Sequence, residues 1–339
     1  MKKYSLIEKK ENISSFLLKN SLYFVSNKKI YSNVNNNFVN INSNNIYSVE
    51  NLILSDTEKV YDFNLENYQI FINDDFQYRR RYYKNIVIFN NETNIFFYDI
   101  AKNQLVRKMN LNSFTIYGTI YCFINEYAII LGNDTTISAF DYIQEKILWQ
   151  YDLETYFHQP AQIMEGRVLV SNNKVIFFAH TEDWSNFATF VLDAQTGQVL
   201  FTTQEMGMKL VEHNSLVYQI QRKAIKILDP KNLKIETIDV STYCDEQSIF
   251  LDDHTVFFYK DKLYTLAREQ GSDVYNIWVI FNLKSQQFEH REDMFINPKK
   301  KKDEKNKMFI NDIQANDNLV AIRCSDNLYI FEKQDIESK

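Results

Sequence analysis

The stretch Phe187-Ala188-Thr189-Phe190-Val191-Leu192-Asp193-Ala194-Gln195-Thr196-Gly197-Gln198-Val199-Leu200-Phe201-Thr202-Thr203 decides the fold. Phe187 to Leu192 is rich in β-branched and aromatic residues, which suit a pleated strand. Alternation sends Phe187, Thr189 and Val191 one way and Ala188, Phe190 and Leu192 the other. Both sets are largely apolar, so both faces of the strand are expected to be covered. Asp193 opens a turn, where its carboxylate accepts hydrogen bonds from backbone N–H groups further along. Gly197 supplies the positive φ that a hairpin of this length commonly needs at its end. Gln198 to Thr203 then returns as the second strand.

The same grammar recurs. Thr136 to Asp141 is followed by Glu145 to Trp149, and Trp149 lies eight residues beyond Asp141, as Phe201 lies eight beyond Asp193. Ala224 to Asp229 with Leu233 to Ile238 is a third copy, and Phe96 to Asp99 with Gln104 to Met109 a fourth. Weaker copies are Val60 to Asp62 and Val279 to Asn282. Taking Tyr31, Tyr61, Tyr98, Phe140, Leu192, Leu228, Phe281 and Phe331 as third-strand anchors, successive units are 30 to 53 residues apart. Blades of β-propellers typically run about 40–50 residues.

Strand, Asp-x-x-x-Gly, strand, aromatic resembles the repeats of quinoprotein-type and WD-repeat β-propellers. Asp193, Thr196, Gly197 and Trp149 stand at the turn and aromatic places of that pattern. The resemblance implies an all-β chain, a single β-propeller domain over residues 1–339 with seven or eight four-stranded blades. The last unit, from Met308 to Phe331 and beyond, lacks an apolar fourth strand, whereas Tyr4-Ser5-Leu6-Ile7 is a spare strand. The two are expected to pair, closing the propeller through its N- and C-terminal segments and removing exposed edges.

Composition narrows the function classes. Aromatics make up 15% of the chain, which favours strands; Gly (6) and Pro (3) are scarce, and Asn is expected to replace Gly in turns. The run Asn33 to Asn45 is the extreme case. Cys122, Cys244 and Cys324 are far apart and odd in number, which points to a reducing compartment and a cytoplasmic protein rather than a disulfide framework. Glu8, Lys9, Lys10 and Glu11 interrupt any apolar leader, and no run reaches membrane-span length, so no membrane partner is expected. A net charge of −6 argues against non-specific nucleic-acid binding. A monomer is expected, and no cofactor or metal, since no Gly-rich phosphate loop, G-x-S-x-G elbow or calcium loop speaks for one.

In propellers the second-to-third strand turns and the between-blade connections share one face, the usual binding surface; that is what the resemblance implies here. Unusually long connections of those two kinds occur at Asp74 to Tyr83, Tyr156 to Gln162, Thr181 to Asn186, Glu269 to Tyr275 and Asp293 to Lys307. Asp183 and Trp184, with Asp273 and Tyr275, are the candidate partner-binding residues on them. Trp184 stands among acids, as an interface anchor would, or it folds back onto its own blade as a plug. Arg79, Arg80 and Arg81, interleaved with Tyr78, Tyr82 and Tyr83, suit phosphates, carboxylates or stacked bases; the plainer alternative is a solvated connection with inward tyrosines. Lys299 to Lys302 reads as a loop diluted by Asp303 and Glu304. None of His158, His180, His213, His254 and His290 shows H-E-x-x-H or i, i+4 spacing, and each reads as structural or solvated, His254 in a turn.

The sequence therefore predicts a non-catalytic module that binds another protein through its loop-rich face. One version is a bacterial immunity-type protein that neutralises a toxin. The alternative is a hydrolase with carboxylates gathered at the propeller axis, where perturbed pKa values would mark it. A third is a basic-aromatic nucleic-acid contact through Arg79 to Arg81, which salt would weaken steeply.

Overall fold

The computed structural model describes residues 3–19, 22–27, 29–32, 38–40, 46–49, 52–55, 60–62, 77–90, 93–99, 102, 104–110, 119–133, 135–164, 168–296 and 304–334. The expected loops at Asp74 and at Lys299 to Lys302, and most of the asparagine run 33–45, lie outside them. Among the described residues the strands form eight antiparallel sheets. The first holds Ile13–Leu18, Leu22–Ser26, Lys29–Ser32 and Phe38–Asn40, and the second Ile46–Val49, Leu52–Ser55 and Val60–Asp62. The third holds Gln77–Tyr83, Ile86–Asn90, Asn94–Asp99 and Gln104–Asn110; the fourth, Thr119–Phe123, Ala128–Gly132, Thr136–Asp141 and Lys146–Asp152. The fifth holds Ala161–Ile163, Lys174–Thr181, Phe187–Asp193 and Val199–Thr203, with Leu169–Ser171 paired beside Lys174–Thr181. The sixth holds Val211–His213, Leu216–Gln221, Ala224–Asp229 and Lys234–Asp239; the seventh, Ile249–Tyr259, Lys262–Glu269, Ile277–Asn282 and Gln287–Asp293. The eighth is completed from the other end of the chain: Ile310–Ala315, Leu319–Cys324 and Asn327–Gln334 are joined by Lys3–Lys10. Each of the eight anchor residues named from the sequence lies in the third strand of its unit.

The spare N-terminal strand thus pairs where it was expected. Tyr4 faces Lys333 and Leu6 faces Phe331, and after one unpaired residue, Ile7, the register resumes with Glu8 opposite Ile330.

Two compact units divide the chain: residues 1–46, 220–226 and 237–339, and residues 47–219 and 227–236. In the latter, Ile130, Ile137, Phe177, Phe190 and Leu192 are wholly buried in one cluster, with Phe177 and Phe190 stacked at 5.1 Å. In the former, Trp278, Ile280, Val320 and Ile322 form the centre of another. Side chains of this size contribute about 1.5–3 kcal/mol each when fully buried. This explains the continuous apolar runs such as Ala128–Gly132, which is buried at all five positions.

The recurrent hairpin has one register in four sheets. The residue two before the turn Asp or Asn pairs with the residue eight after it: Phe97 with Arg107, Ala139 with Trp149, Val191 with Phe201, Ile280 with His290. The residue between, at position seven, is skipped by the ladder as a one-residue bulge. The eight-residue offset seen in the sequence is therefore a turn plus a bulge. The side chain it places at position eight reaches the next sheet. Arg107 pairs with Glu145, Trp149 lies against Ala194 and Gly197, and His290 packs at 4.9 Å against Tyr4.

The turn itself is built as the sequence suggested. Asp193 Oδ1 accepts from the N–H of Gln195 at 3.0 Å and of Thr196 at 2.9 Å, and Asp141 Oδ1 does the same for Ile143 and Gln144. Where it is described, the residue four past the Asp or Asn is left-handed: Gly197 at φ 71°, Glu145 at 55°, Leu233 at 60° and Gln286 at 52°. Missing glycines in the other copies mark a tolerated strain, and not a different turn. Asparagine takes left-handed positions elsewhere, at Asn12, Asn27, Asn172, Asn173 and Asn214.

One expectation concerns stability against pH. Asp312 faces Arg323 across two strands of the eighth sheet and is half-buried. Burial pushes its carboxyl from 3.8 up to about 6, and the Arg323 guanidinium only partly offsets this. A carboxyl raised in the folded state stabilises the fold fully below the unfolded value and loses that contribution as pH rises through about 6. The loss is at most about 3 kcal/mol. Asp312→Asn is expected to raise the urea midpoint near neutral pH and to leave it almost unchanged near pH 3.5. Equal gains at both would rule out the charge as the cause.

Candidate functional site

The Thr181–Asn186 connection is a closed, hydrogen-bonded loop. Thr181 N donates to Asn186 O at 2.9 Å, and Trp184 N donates back to Thr181 O at 2.9 Å. Inside it, Asp183 Oδ1 accepts from Thr181 Oγ1 at 2.6 Å, Ser185 Oγ at 2.8 Å and Ser185 N at 3.0 Å. The Thr181 hydroxyl, followed by the Ser185 donors, holds the Asp183 carboxyl down to about 2. It stays ionised through the physiological range. Its role is to fix the loop.

That loop presents Trp184 at φ 60°, an uncommon conformation for a bulky residue. One face of the indole stacks on His180, with ring centroids 3.5 Å apart and planes at 16°. His180 is buried, and its Nδ1 lies 2.8 Å from the Thr181 carbonyl. A carbonyl only accepts, so Nδ1 carries the hydrogen and the ring is locked in place. Phe178 lies 6.4 Å from Trp184 and 5.8 Å from Phe187. Trp184 thus folds onto its own sheet and remains 46% exposed, with Phe187 beside it at 37%. Gln204 Nε2 ties the loop to the next connection through Asn186 Oδ1 at 3.1 Å.

In the other unit the Glu269–Tyr275 connection is organised by Arg268, which sequence reasoning passed over. Its guanidinium donates to the Ser272 carbonyl and to Asp273 Oδ1, the latter at 3.2 Å. It also lies 5.6 Å from the Tyr275 ring and 5.9 Å from the Phe250 ring. Asp273 is fully exposed and Tyr275 half-buried, with its carbonyl accepting from Ile310 N at 2.9 Å. Two neighbours complete the cluster. Arg222 and Lys223, from the turn between Leu216–Gln221 and Ala224–Asp229, lie 5.6 and 5.5 Å from the same Phe250 ring. Arg222 and Phe250 are far apart in sequence and lie in no motif. Only the cross-strand pairing of Phe250 with Arg268 brings the connections together.

Two expectations need correction. Arg79, Arg80 and Arg81 are not in a connection: they lie inside the Gln77–Tyr83 strand. Tyr82 faces Val87 and Tyr78 faces Phe89, so the three arginines span the backbone opposite Ile88 alone. The flanking tyrosines are good strand formers, and a bulge absorbs the extra residues, so charge was a poor guide there. His254 likewise lies within the Ile249–Tyr259 strand rather than a turn, in an irregular stretch between Leu251 and Val256. Among the described residues, no group of three or more His, Cys, Asp or Glu is placed to hold a metal ion.

No protein-family model matches the chain, and no curated protein sequence matches it significantly. Solved structures do. BamB from Moraxella catarrhalis aligns with a TM-score of 0.52 at 11% identity, covering 97% of this chain and 99% of that one. Sqt1 from Saccharomyces cerevisiae aligns at 0.53 and 9%, covering 98% of each. The β-propeller domain of Cps50 (Swd1) from Myceliophteria thermophila aligns at 0.50 and 9%, covering 95% of this chain and 99% of that one. At such identities the likeness concerns the fold: this chain is an all-β propeller, of a subfamily its sequence leaves open.

Proposed function

We propose that the protein is a non-catalytic module that binds another protein through the connections carrying Trp184. The observation behind this reading is an indole exposed on one face and clamped on the other by a buried histidine. Tryptophan is enriched among interface residues that dominate affinity. A ring already held in one pose loses little further freedom on binding. The hydrogen bonds of Asp183 keep that pose at any physiological pH. A monomeric, cytoplasmic, toxin-neutralising protein of a bacterium is one version of such a module, and a toxin gene beside its coding sequence is the cheapest test of that version.

The general reading is tested by capture from the native organism followed by a binding measurement on the captured protein. Trp184→Ala is expected to weaken that complex by about 2 kcal/mol or more, roughly thirtyfold, with an almost unchanged melting temperature. Trp184→Phe should fall between. An affinity indifferent to Trp184 would remove the anchor.

A further inference from the structure

Three cations converge on one ring beside the Glu269–Tyr275 connection. The Arg222 guanidinium carbon, Lys223 Nζ and the Arg268 guanidinium carbon lie 5.6, 5.5 and 5.9 Å from the Phe250 centroid. Like charges so close repel unless carboxylates offset them. Two do: Lys223 pairs with Asp245, and Arg268 with Asp273 at 3.2 Å. Arg222 is exposed, and among the described residues its guanidinium meets the Phe250 ring and no carboxylate. Arg222 is therefore the one cation of the three without a carboxylate partner among the described residues.

The turn bearing Arg222 is fixed from below. Leu251 N donates to the Arg222 carbonyl and Val240 N to the Lys223 carbonyl, each at 3.0 Å. The aromatic contact steadies the guanidinium itself. Its N–H fork is thus pre-positioned for a planar anion that accepts two parallel hydrogen bonds.

We infer that this face binds one carboxylate, an Asp or Glu side chain on an acidic segment of a partner protein, held by the Arg222 fork beside Phe250. A carboxylate carries the single charge that would pair Arg222. A phosphomonoester, at about −1.5 to −2, would bring excess charge next to Asp245 and Asp273. The inference rests on the protein-binding reading and names the chemistry of a contact separate from Trp184.

The test is a titration of the full chain, with 15N-labelled arginine, by three probes. They are the peptide acetyl-Gly-Glu-Leu-Gly-amide, its counterpart with Gln in place of Glu, and inorganic phosphate. The Glu peptide is expected to shift one arginine Nε–H signal saturably in the millimolar range, about tenfold or more tighter than the Gln peptide. Arg222→Gln should abolish the shift, and Arg222→Lys, which keeps the charge but not the fork, should bind several-fold more weakly. Equal affinity for the two peptides, tighter binding of phosphate, or an unaltered titration in Arg222→Gln would each overturn the assignment. The peptide comparison stands even if a variant folds poorly. Failure here with capture still dependent on Trp184 removes the carboxylate site alone. Success here with capture indifferent to Trp184 removes the anchor and leaves this site.

Discussion

Gly197→Ala is expected to destabilise the fold by about 2–4 kcal/mol, read as a lower urea midpoint at unchanged slope. Two costs combine. An alanine at φ 71° bears the left-handed penalty, about 1–2 kcal/mol. Its Cβ would also stand 2.6 Å from Cδ2 and Cε3 of Trp149, inside contact distance. That indole cannot simply retreat, because its Nε1 donates to the Ala194 carbonyl at 2.9 Å in a buried setting. The two costs separate in a double-mutant cycle with Trp149→Leu, which removes the obstructing ring. In that background Gly197→Ala should cost only about the left-handed penalty. An identical cost in both backgrounds would show that the ring contact is immaterial. Glu145, Leu233 and Gln286 occupy the same turn position without glycine, so backbone conformation alone does not demand glycine at 197. The approach of Trp149 does.

That comparison shows what the sequence could carry. The eight-residue step from Asp193 to Phe201 and from Asp141 to Trp149 was visible because one strand, one turn and one bulge lie within a single hairpin. The third-strand anchors were right for the same local reason. The two candidate sites, one in each unit, divide along the same line. Trp184 and Asp183 were legible because loop length and an isolated Trp are local signals. Their supports were less so: His180 precedes Trp184 by only four residues, but nothing in its spacing says that a turn will lay one ring over the other. Arg222 lies in a turn, Phe250 and Arg268 in two paired strands, and the three meet only through that pairing. The misread arginines show the opposite failure. Three charges in a row resemble a solvated loop, while the tyrosines around them specify a strand and a backbone bulge takes up the surplus.

Removing residues 1–10 is expected to cost about 3–8 kcal/mol and to promote self-association. The Lys3–Lys10 strand supplies seven cross-strand pairs to Asn327–Gln334, each contributing a few tenths to about 1 kcal/mol. Tyr4 adds a larger share. Its ring stands edge-on to Trp278 at 5.6 Å and to His290 at 4.9 Å, and Trp278 is fully buried in the intact protein. Truncation would bare both rings and leave the Asn327–Gln334 strand with an open edge, a template for pairing between molecules. Leu6 and Ile7 are more than half exposed at 51% and 52%, so little of the effect comes from them. The contributions can be told apart. Tyr4→Ala should reproduce a large part of the loss, about 2–4 kcal/mol. Replacing Leu6 and Ile7 together by serine should cost under about 1 kcal/mol. A synthetic peptide of residues 1–12, added to the truncated chain, should restore the melting temperature in a concentration-dependent way, since whatever binds only the folded form stabilises it. A truncated chain that melts where the intact one does, without aggregating, would mean that the eighth sheet does not depend on its borrowed strand.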